Sequence, residues 1–225
     1  MRLSVIVPVF NECHTILEIL DRVEAVDVEK EIIVVDDCST DGTRELLQER
    51  AIGRFTLLLH DVNLGKGAAL RTGLSEAIGE FVVVQDADLE YDPHDYVKLL
   101  SVVEKHDAVV VYGSRLAADR PTMAFRHFVG NRLLTGFTNL LYGSVLTDME
   151  TCYKLVKRDL LNDLIIESNR FNVEPELTAK ILKQGIAIHE VPISYAGRSF
   201  VEGKKISWLD FVSAVWTLAK FRLLA

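Results

Sequence analysis

Glu80–Pro93 reads EFVVVQDADLEYDP: an apolar run, one glutamine, and then Asp86, Asp88, Glu90 and Asp92. The run is continuous rather than alternating, the pattern of a strand buried on both faces, as in parallel sheets covered by helices. Like charges gathered at such an end repel one another unless they bind a cation or shift their protonation. If the strand's period of two continues, Asp86, Asp88 and Glu90 point to one side. Asp92, directly before Pro93, reads as a helix-starting cap.

Working outward, the same kind of run recurs in LSVIVPVF (3–10), EIIVVDD (31–37), RFTLLLH (54–60) and DAVVVYGSR (107–115). Helical patterns lie between them at 15–26, 41–50, 66–78 and 94–105. This alternation predicts an α/β fold, a mainly parallel, doubly wound sheet with helices on both faces. After Arg115 the rhythm breaks. FRHFVGNRLLTGFTNLLYG (125–143) is apolar at helical spacing, CYKLV (152–156) suits a short strand, VEPELTAKILKQG (173–185) a helix with a C-cap glycine, and IAIHEVPISY (186–195) a strand. No internal repeat or linker is evident, so the expectation is one domain. Residues 1–115 would form its ligand-binding half, 116–206 a half that completes the site, and 207–225 a C-terminal amphipathic helix.

Composition excludes several classes. About half of the residues are hydrophobic (49%), as expected of a packed globule. A net charge of −8 argues against a nucleic-acid partner, which needs a concentrated basic surface. The three cysteines follow no paired spacing and read as reduced thiols. No apolar run approaches the roughly 18 residues of a membrane span, so the expected location is the cytoplasm, in solution or held at a membrane surface.

In α/β sheets, ligands bind beyond the carboxyl ends of the strands. Here those ends carry PVFNE (8–12), DDCSTDGT (36–43), HDVNLGKG (60–67), DADLE (86–90) and GSR (113–115). Each alone is explained by caps and turns; together they predict a site. Carboxylates at a strand end suit a hard divalent ion such as Mg²⁺, shared with substrate phosphates. NLGKGAALRTG (63–73) lacks the phosphate-loop spacing, and its glycines can be read as opening a helix. Lys66, Arg71 and Arg115 are candidates to face a diphosphate, and Arg198, Lys204 and Lys205 form a second basic cluster in a glycine-punctuated loop.

Taken in order and spacing, VIVPVFNE, IIVVDDCSTDGT, NLGKGAALRTG, QDADLEYDP and YGSR resemble the family-2 glycosyltransferases of the GT-A fold. LTDMETCYKLVKRDLL and the stretch from 171 to 208 resemble the dolichyl-phosphate mannosyltransferase and polyprenyl-phosphate glycosyltransferase branch. The resemblance implies that Pro8, Glu12, Asp36 and Asp37 hold the base and ribose of a nucleotide, with Lys66 near that pocket. Asp86 and Asp88 would bind Mg²⁺ or Mn²⁺, with Glu90 as a third ligand where the mannosyltransferase pattern often has glutamine. Arg115, Arg198 and Lys204 would contact phosphates and Arg126 the lipid phosphate, while Asp148 opens the D-x-x-[TS] segment. Asp88, Arg115 and Asp148 are the residues it implies for catalysis.

The implied reaction is inverting, metal-dependent hexosyl transfer from a nucleoside-diphosphate sugar, of the GDP-mannose or UDP-glucose type, to a polyprenyl or dolichyl phosphate. An acceptor phosphate is already anionic and needs no strong base. A hydroxyl acceptor on a glycan, protein or small molecule would need one, with Asp148, Glu150 and Glu174 as candidates. A non-catalytic nucleotide-binding protein is the remaining alternative; a nucleotidyltransferase would show a G-x-G-[TS]-R loop where the chain has PVFNEC. In SWLDFVSAVWTLAKFRLLA (207–225), Ser207, Asp210, Ser213, Thr217 and Lys220 mark a polar stripe opposite a wide apolar face. That face suits a membrane interface or packing on the domain, and a membrane partner is the other route to a lipid substrate.

Overall fold

The computed structural model describes residues 2–117, 123–197 and 208–223, with the side chains of 208–210 left aside. Strands β1 (Leu3–Val9), β2 (Lys30–Asp36), β3 (Thr56–Leu59), β4 (Phe81–Val84) and β5 (Val110–Ser114) alternate with helices α1 (Ile16–Ala25), α2 (Thr43–Arg50), α3 (Lys66–Glu76) and α4 (Tyr96–His106). Beyond them come α5 (Phe125–Tyr142), β6 (Lys154–Lys157), α6 (Arg158–Asp163), α7 (Val173–Lys183), β7 (His189–Pro192) and α8 (Trp208–Leu223). The expected α/β architecture is thus present as a single domain around one sheet.

The sheet has seven strands in the order β3-β2-β1-β4-β6-β5-β7. β1 pairs in parallel with β2 and with β4, β2 with β3, and β5 with β7; β6 runs antiparallel between β4 and β5. The Val- and Ile-rich runs of β1, β2 and β4 form the centre of the main core. β3 is one of the two edge strands, and there the apolar run is half exposed instead of buried on both faces. A smaller core joins Leu134 of α5, Met149, Ala179 of α7, and Ala214, Leu218 and Phe221 of α8.

Two features of this topology position the site. The chain winds outward from β1 to β2 and β3, then crosses back to place β4 on the other side of β1. Such a reversal opens a crevice at the carboxyl ends of the two strands. Because β6 is antiparallel, the residues that precede it, 148–153, reach that same edge.

On α8 the polar stripe does not all face away from the domain. Thr217 is buried and Ser213 half-buried, with Asn172 Nδ2 donating to Ser213 Oγ at 2.7 Å, so part of the polar stripe faces the domain. Trp216, Val212 and Leu223 face outward. Ala214, Leu218 and Phe221 are the positions that pack.

Candidate active site

β4 ends at Val84, so the alternation expected through Glu90 does not hold. Gln85 follows, fully buried, its Oε1 accepting from the Tyr96 and Tyr153 hydroxyls at 2.5 Å each while its Nε2 donates to Asp86 O at 2.9 Å. A glutamine is required there because its amide must both accept and donate within the core. The chain then turns, with Leu89 in the left-handed region at φ 63°, and Glu90 N donates to Asp88 Oδ1 at 3.2 Å. A tight turn, not strand pleating, brings Asp86, Asp88 and Glu90 to one cavity.

That cavity, about 690 Å³, lies over the β1/β4 crevice. Pro8, Glu12, Asp37, Lys66, Arg115 and Arg126 of the expected set line it as well. On one side the loops after β1 and β2 are stitched together. Asn11 N donates to Ser39 Oγ at 2.9 Å, Glu12 N to Thr43 Oγ1 at 2.9 Å, and Cys13 N to Asp41 Oδ2 at 3.1 Å. Hydrogen bonds from Thr43 and Cys13 hold the Asp41 carboxyl down at about 2 against the upward push of its partial burial.

Asp37 lines the cavity, and its carboxylate accepts from Leu64 N at 2.8 Å and Gly65 N at 2.7 Å, with His60 Nδ1 at 2.7 Å. It therefore anchors the NLGKG loop. Asp36 departs from the expectation: fully buried and absent from the cavity wall, it pairs with Arg44 Nε at 2.7 Å and accepts from Ser39 N. Arg71 is likewise spent elsewhere, donating to Ser168 O at 2.9 Å.

Gly65 and Gly67 do more than open α3. A Cβ at either position would collide with the backbone carbonyl of Asn169 or Ser168, and Gly67 N donates to Asn169 O at 2.8 Å. The glycines let the 168–170 segment close over the start of α3, where Arg170 and Phe171 join the cavity wall. Lys66, between them, reaches Asp86 Oδ1 at 2.8 Å and Glu174 Oε1 at 3.1 Å. Burial opposes the Lys66 charge, but Asp86, Cys152 and Glu174 outweigh it and hold the ammonium well above its ordinary value. Burial likewise raises the Asp86 carboxyl, and Lys66 more than offsets this, leaving it below its ordinary value.

Arg115 follows β5 and forms a two-pronged pair with Asp148, Nε to Oδ2 at 2.7 Å and Nη2 to Oδ1 at 2.8 Å, reinforced by Arg115 N to Oδ2 at 2.9 Å. Its guanidinium carbon lies 5.2 Å from the centre of the Tyr195 ring and 5.9 Å from that of Tyr91. Asp148, another residue expected in catalysis, is fully buried and off the cavity wall, where it holds Arg115 in place. Of the proposed bases, Glu174 bridges Lys66 and Lys154, the latter at 2.7 Å. Glu150 faces the cavity with Oε1 buried and without a hydrogen-bond partner, and burial pushes its carboxyl up to about 7.

Tyr195 is a site residue that the sequence does not reveal. Its hydroxyl donates to Glu90 Oε2 at 2.7 Å, and Ala196 N donates to Glu90 O at 2.9 Å. Tyr91 is visible in EYDP only as an aromatic; its hydroxyl accepts from Cys152 N at 3.0 Å. Arg198, Lys204 and Lys205 lie outside the described residues.

The donor set is carboxylate oxygen, as a hard divalent ion requires. Among the described residues no group of three His, Cys, Asp or Glu side chains is arranged to hold a metal alone. Asp86 and Asp88, both on the cavity wall, supply carboxylate oxygens of that kind.

Comparison with known proteins agrees with this architecture. Residues 4–165 match the family described as Glycosyl transferase family 2. The chain is 29% identical over 197 residues to glycosyltransferase AglJ of Haloferax volcanii, covering 86% of this chain and 63% of that protein. It is 26% identical over 208 residues to the undecaprenyl-phosphate 4-deoxy-4-formamido-L-arabinose transferase of Edwardsiella ictaluri, covering 89% and 62%. The chain thus spans less than two thirds of the length of these curated relatives. The structure of glucosyl-3-phosphoglycerate synthase from Mycobacterium tuberculosis, in complex with Mn²⁺, UDP and glucosyl-3-phosphoglycerate, superposes with a TM-score of 0.73 at 22% identity, over 98% of this chain and 78% of that one. With the family matched over most of its length, this chain is a member of glycosyl transferase family 2.

Proposed function

We propose that the chain transfers a hexose from a nucleoside-diphosphate sugar to a polyprenyl phosphate. One observation carries this reading: a single cavity joins the acidic pair Asp86 and Asp88 to Arg126 and His127 of α5, beside apolar helix faces open to the outside. Phe125, Leu133 and Leu140 on α5, and Val212 and Trp216 on α8, are exposed next to the Leu134, Phe211 and Ala214 wall. Adjacent helices that turn apolar side chains outward, with Arg132 and Arg222 also exposed, suit the interface of an anionic membrane. No helix among the described residues is long and apolar enough to cross a membrane; in this reading the chain attaches peripherally at the cytoplasmic face. The undecaprenyl-phosphate transferases among the relatives support the same acceptor class.

In this reading residues 1–115 bind the donor, 116–206 the acceptor, and 207–225 the membrane. Pro8, Glu12 and Asp37 border the base and ribose, Arg115 and Lys204 meet phosphates together with Arg198, and Arg126 receives the lipid phosphate. Asp86 and Asp88, with Glu90 beside them, would hold Mg²⁺ or Mn²⁺, which when bound neutralises charge developing on the leaving diphosphate. The acceptor phosphate oxygen forms a bond to the anomeric carbon as the bond to the diphosphate breaks, and the nucleoside diphosphate leaves with the electron pair. Displacement from the opposite face inverts the anomeric centre. Lys66 and Arg115 are held charged and fixed in place by their carboxylate partners, so their N–H donors are oriented in advance.

A hydroxyl acceptor is the second reading, favoured by Glu150, a carboxyl on the cavity wall with one oxygen that has no hydrogen-bond partner. The test supplies radiolabelled UDP- and GDP-hexoses with undecaprenyl phosphate and partitions the products. Label extracted into organic solvent supports the lipid acceptor; label confined to the aqueous phase overturns it.

A further inference from the structure

The residues around Glu150 are all tied down. Met149 N donates to Thr135 Oγ1 at 3.0 Å, Thr151 Oγ1 to Gly113 O at 2.6 Å, and Cys152 N to the Tyr91 hydroxyl at 3.0 Å. Lys154 Nζ donates back to Met149 O at 3.0 Å and to Thr151 O. This clamped loop presents Glu150 to the cavity, with Oε1 buried and unbonded.

The surrounding charges are already matched. Lys154 is taken by Glu174 of α7, Lys66 of α3 by Asp86 and Glu174, and Arg115 by Asp148. Ionised Glu150 would add a further negative charge beside Glu174 and Asp148, in a cavity whose wall also includes Asp88, Glu90, Arg126 and His127. A phosphate entering the cavity sharpens the conflict. Carboxylate and phosphate oxygens are both hydrogen-bond acceptors, and without a cation between them they can meet only across a proton.

We propose that Glu150 is a phosphate-binding group that acts as a neutral carboxylic acid, donating its O–H to an anionic oxygen of the bound substrate. The assignment rests on reading the cavity as a site for phosphate-bearing substrates, and it opposes a role for Glu150 as a base. Burial of the carboxyl, which raises its proton affinity to about 7, supports it. The proton stays on Glu150 throughout, so the group favours binding and takes no part in bond exchange.

Two measurements test the assignment. The first is the infrared difference between wild type and Glu150→Gln, with no ligand present. A protonated carboxyl band at about pH 6 that fades by about pH 8 is expected. The second is calorimetric binding of two probes, farnesyl phosphate and UDP or GDP with Mn²⁺, at the same pH values. Binding of one probe by the wild type should weaken about tenfold relative to Glu150→Gln as the acid ionises, and Glu150→Ala should lose about tenfold at the lower pH. The responding probe identifies acceptor phosphate or donor diphosphate as the partner. A carboxyl already ionised at the lower pH, or the same pH response in wild type and Glu150→Gln with both probes, overturns the assignment alone. Failure of the wild type to bind either probe overturns the phosphate-site reading, and this assignment with it.

Discussion

Lys66 Nζ lies 2.8 Å from Asp86 Oδ1 and 3.1 Å from Glu174 Oε1, so one ammonium holds together a residue at the end of β4 and another on α7. Its removal leaves two largely buried carboxylates facing each other. Lys66→Met should destabilise the fold by about 3–5 kcal/mol, the cost of breaking a buried pair from one side. Adding Asp86→Asn should recover part of that loss. Urea unfolding of the two single variants and the double variant measures the coupling; strict additivity would show that the contact contributes nothing.

Asp148 should behave as a structural partner of Arg115. Asp148→Ala leaves a guanidinium that is nearly buried with its main partner gone, and a loss of roughly 3–5 kcal/mol is expected. A fall in Tm should therefore accompany any fall in turnover. A variant with wild-type Tm and no activity would return Asp148 to the chemistry.

Glu150 makes stability depend on pH in a definite direction. Its carboxyl is raised from 4.5 to about 7 in the folded chain, so the native state binds the proton more tightly than the unfolded one. The stabilisation is full below about 4.5 and is lost as pH rises through about 7, amounting to roughly 3 kcal/mol before any allowance for solvent reaching the cavity. Glu150→Gln should lack this fall. Denaturation of both proteins across that interval checks the sign, and parallel curves would refute it.

Asp88→Ala should abolish the thermal stabilisation that a nucleoside diphosphate confers in the presence of Mn²⁺ or Mg²⁺. A ligand present at about a hundred times its Kd stabilises by about 2.7 kcal/mol, well within reach of a thermal-shift measurement. Chelation of the metal should give the same loss in wild type. An equal shift with and without metal would separate nucleotide binding from the acidic pair.

Trp216 is 64% exposed on α8, opposite the side chains that pack. Trp216→Asp should reduce co-sedimentation with anionic phospholipid vesicles several-fold and leave Tm within about 1 °C, since exposed substitutions alter stability little. Unchanged sedimentation would remove the membrane from the proposal.

Much of the fold was legible because continuous Val and Ile runs alternate with helical patterns, and that pattern is local. The antiparallel course of β6 was not, since CYKLV shows a strand but not its direction. The short helix α6 went unread, its RDLLND too brief to establish a period. At the site, DADLE marked the acidic end, although a turn and not strand alternation gathers it. Asp36 and Asp37 look alike in sequence, yet Arg44 takes one while the NLGKG loop is hung on the other. The glycines of that loop answer to Ser168 and Asn169, about a hundred positions away, and no local pattern reports such a neighbour.

The insertion of β6 between β4 and β5 also sets an order on assembly during synthesis. β5 cannot take its place beside β4 when it emerges, because the strand that separates them lies some forty residues further on. Until Lys154–Lys157 leaves the ribosome, β4 presents an open Val-rich edge, and such edges template pairing with other chains. A nascent chain stopped between β5 and β6 would therefore expose a sticky half-sheet, and the antiparallel strand that delivers Glu150 to the cavity is also the one that seals it.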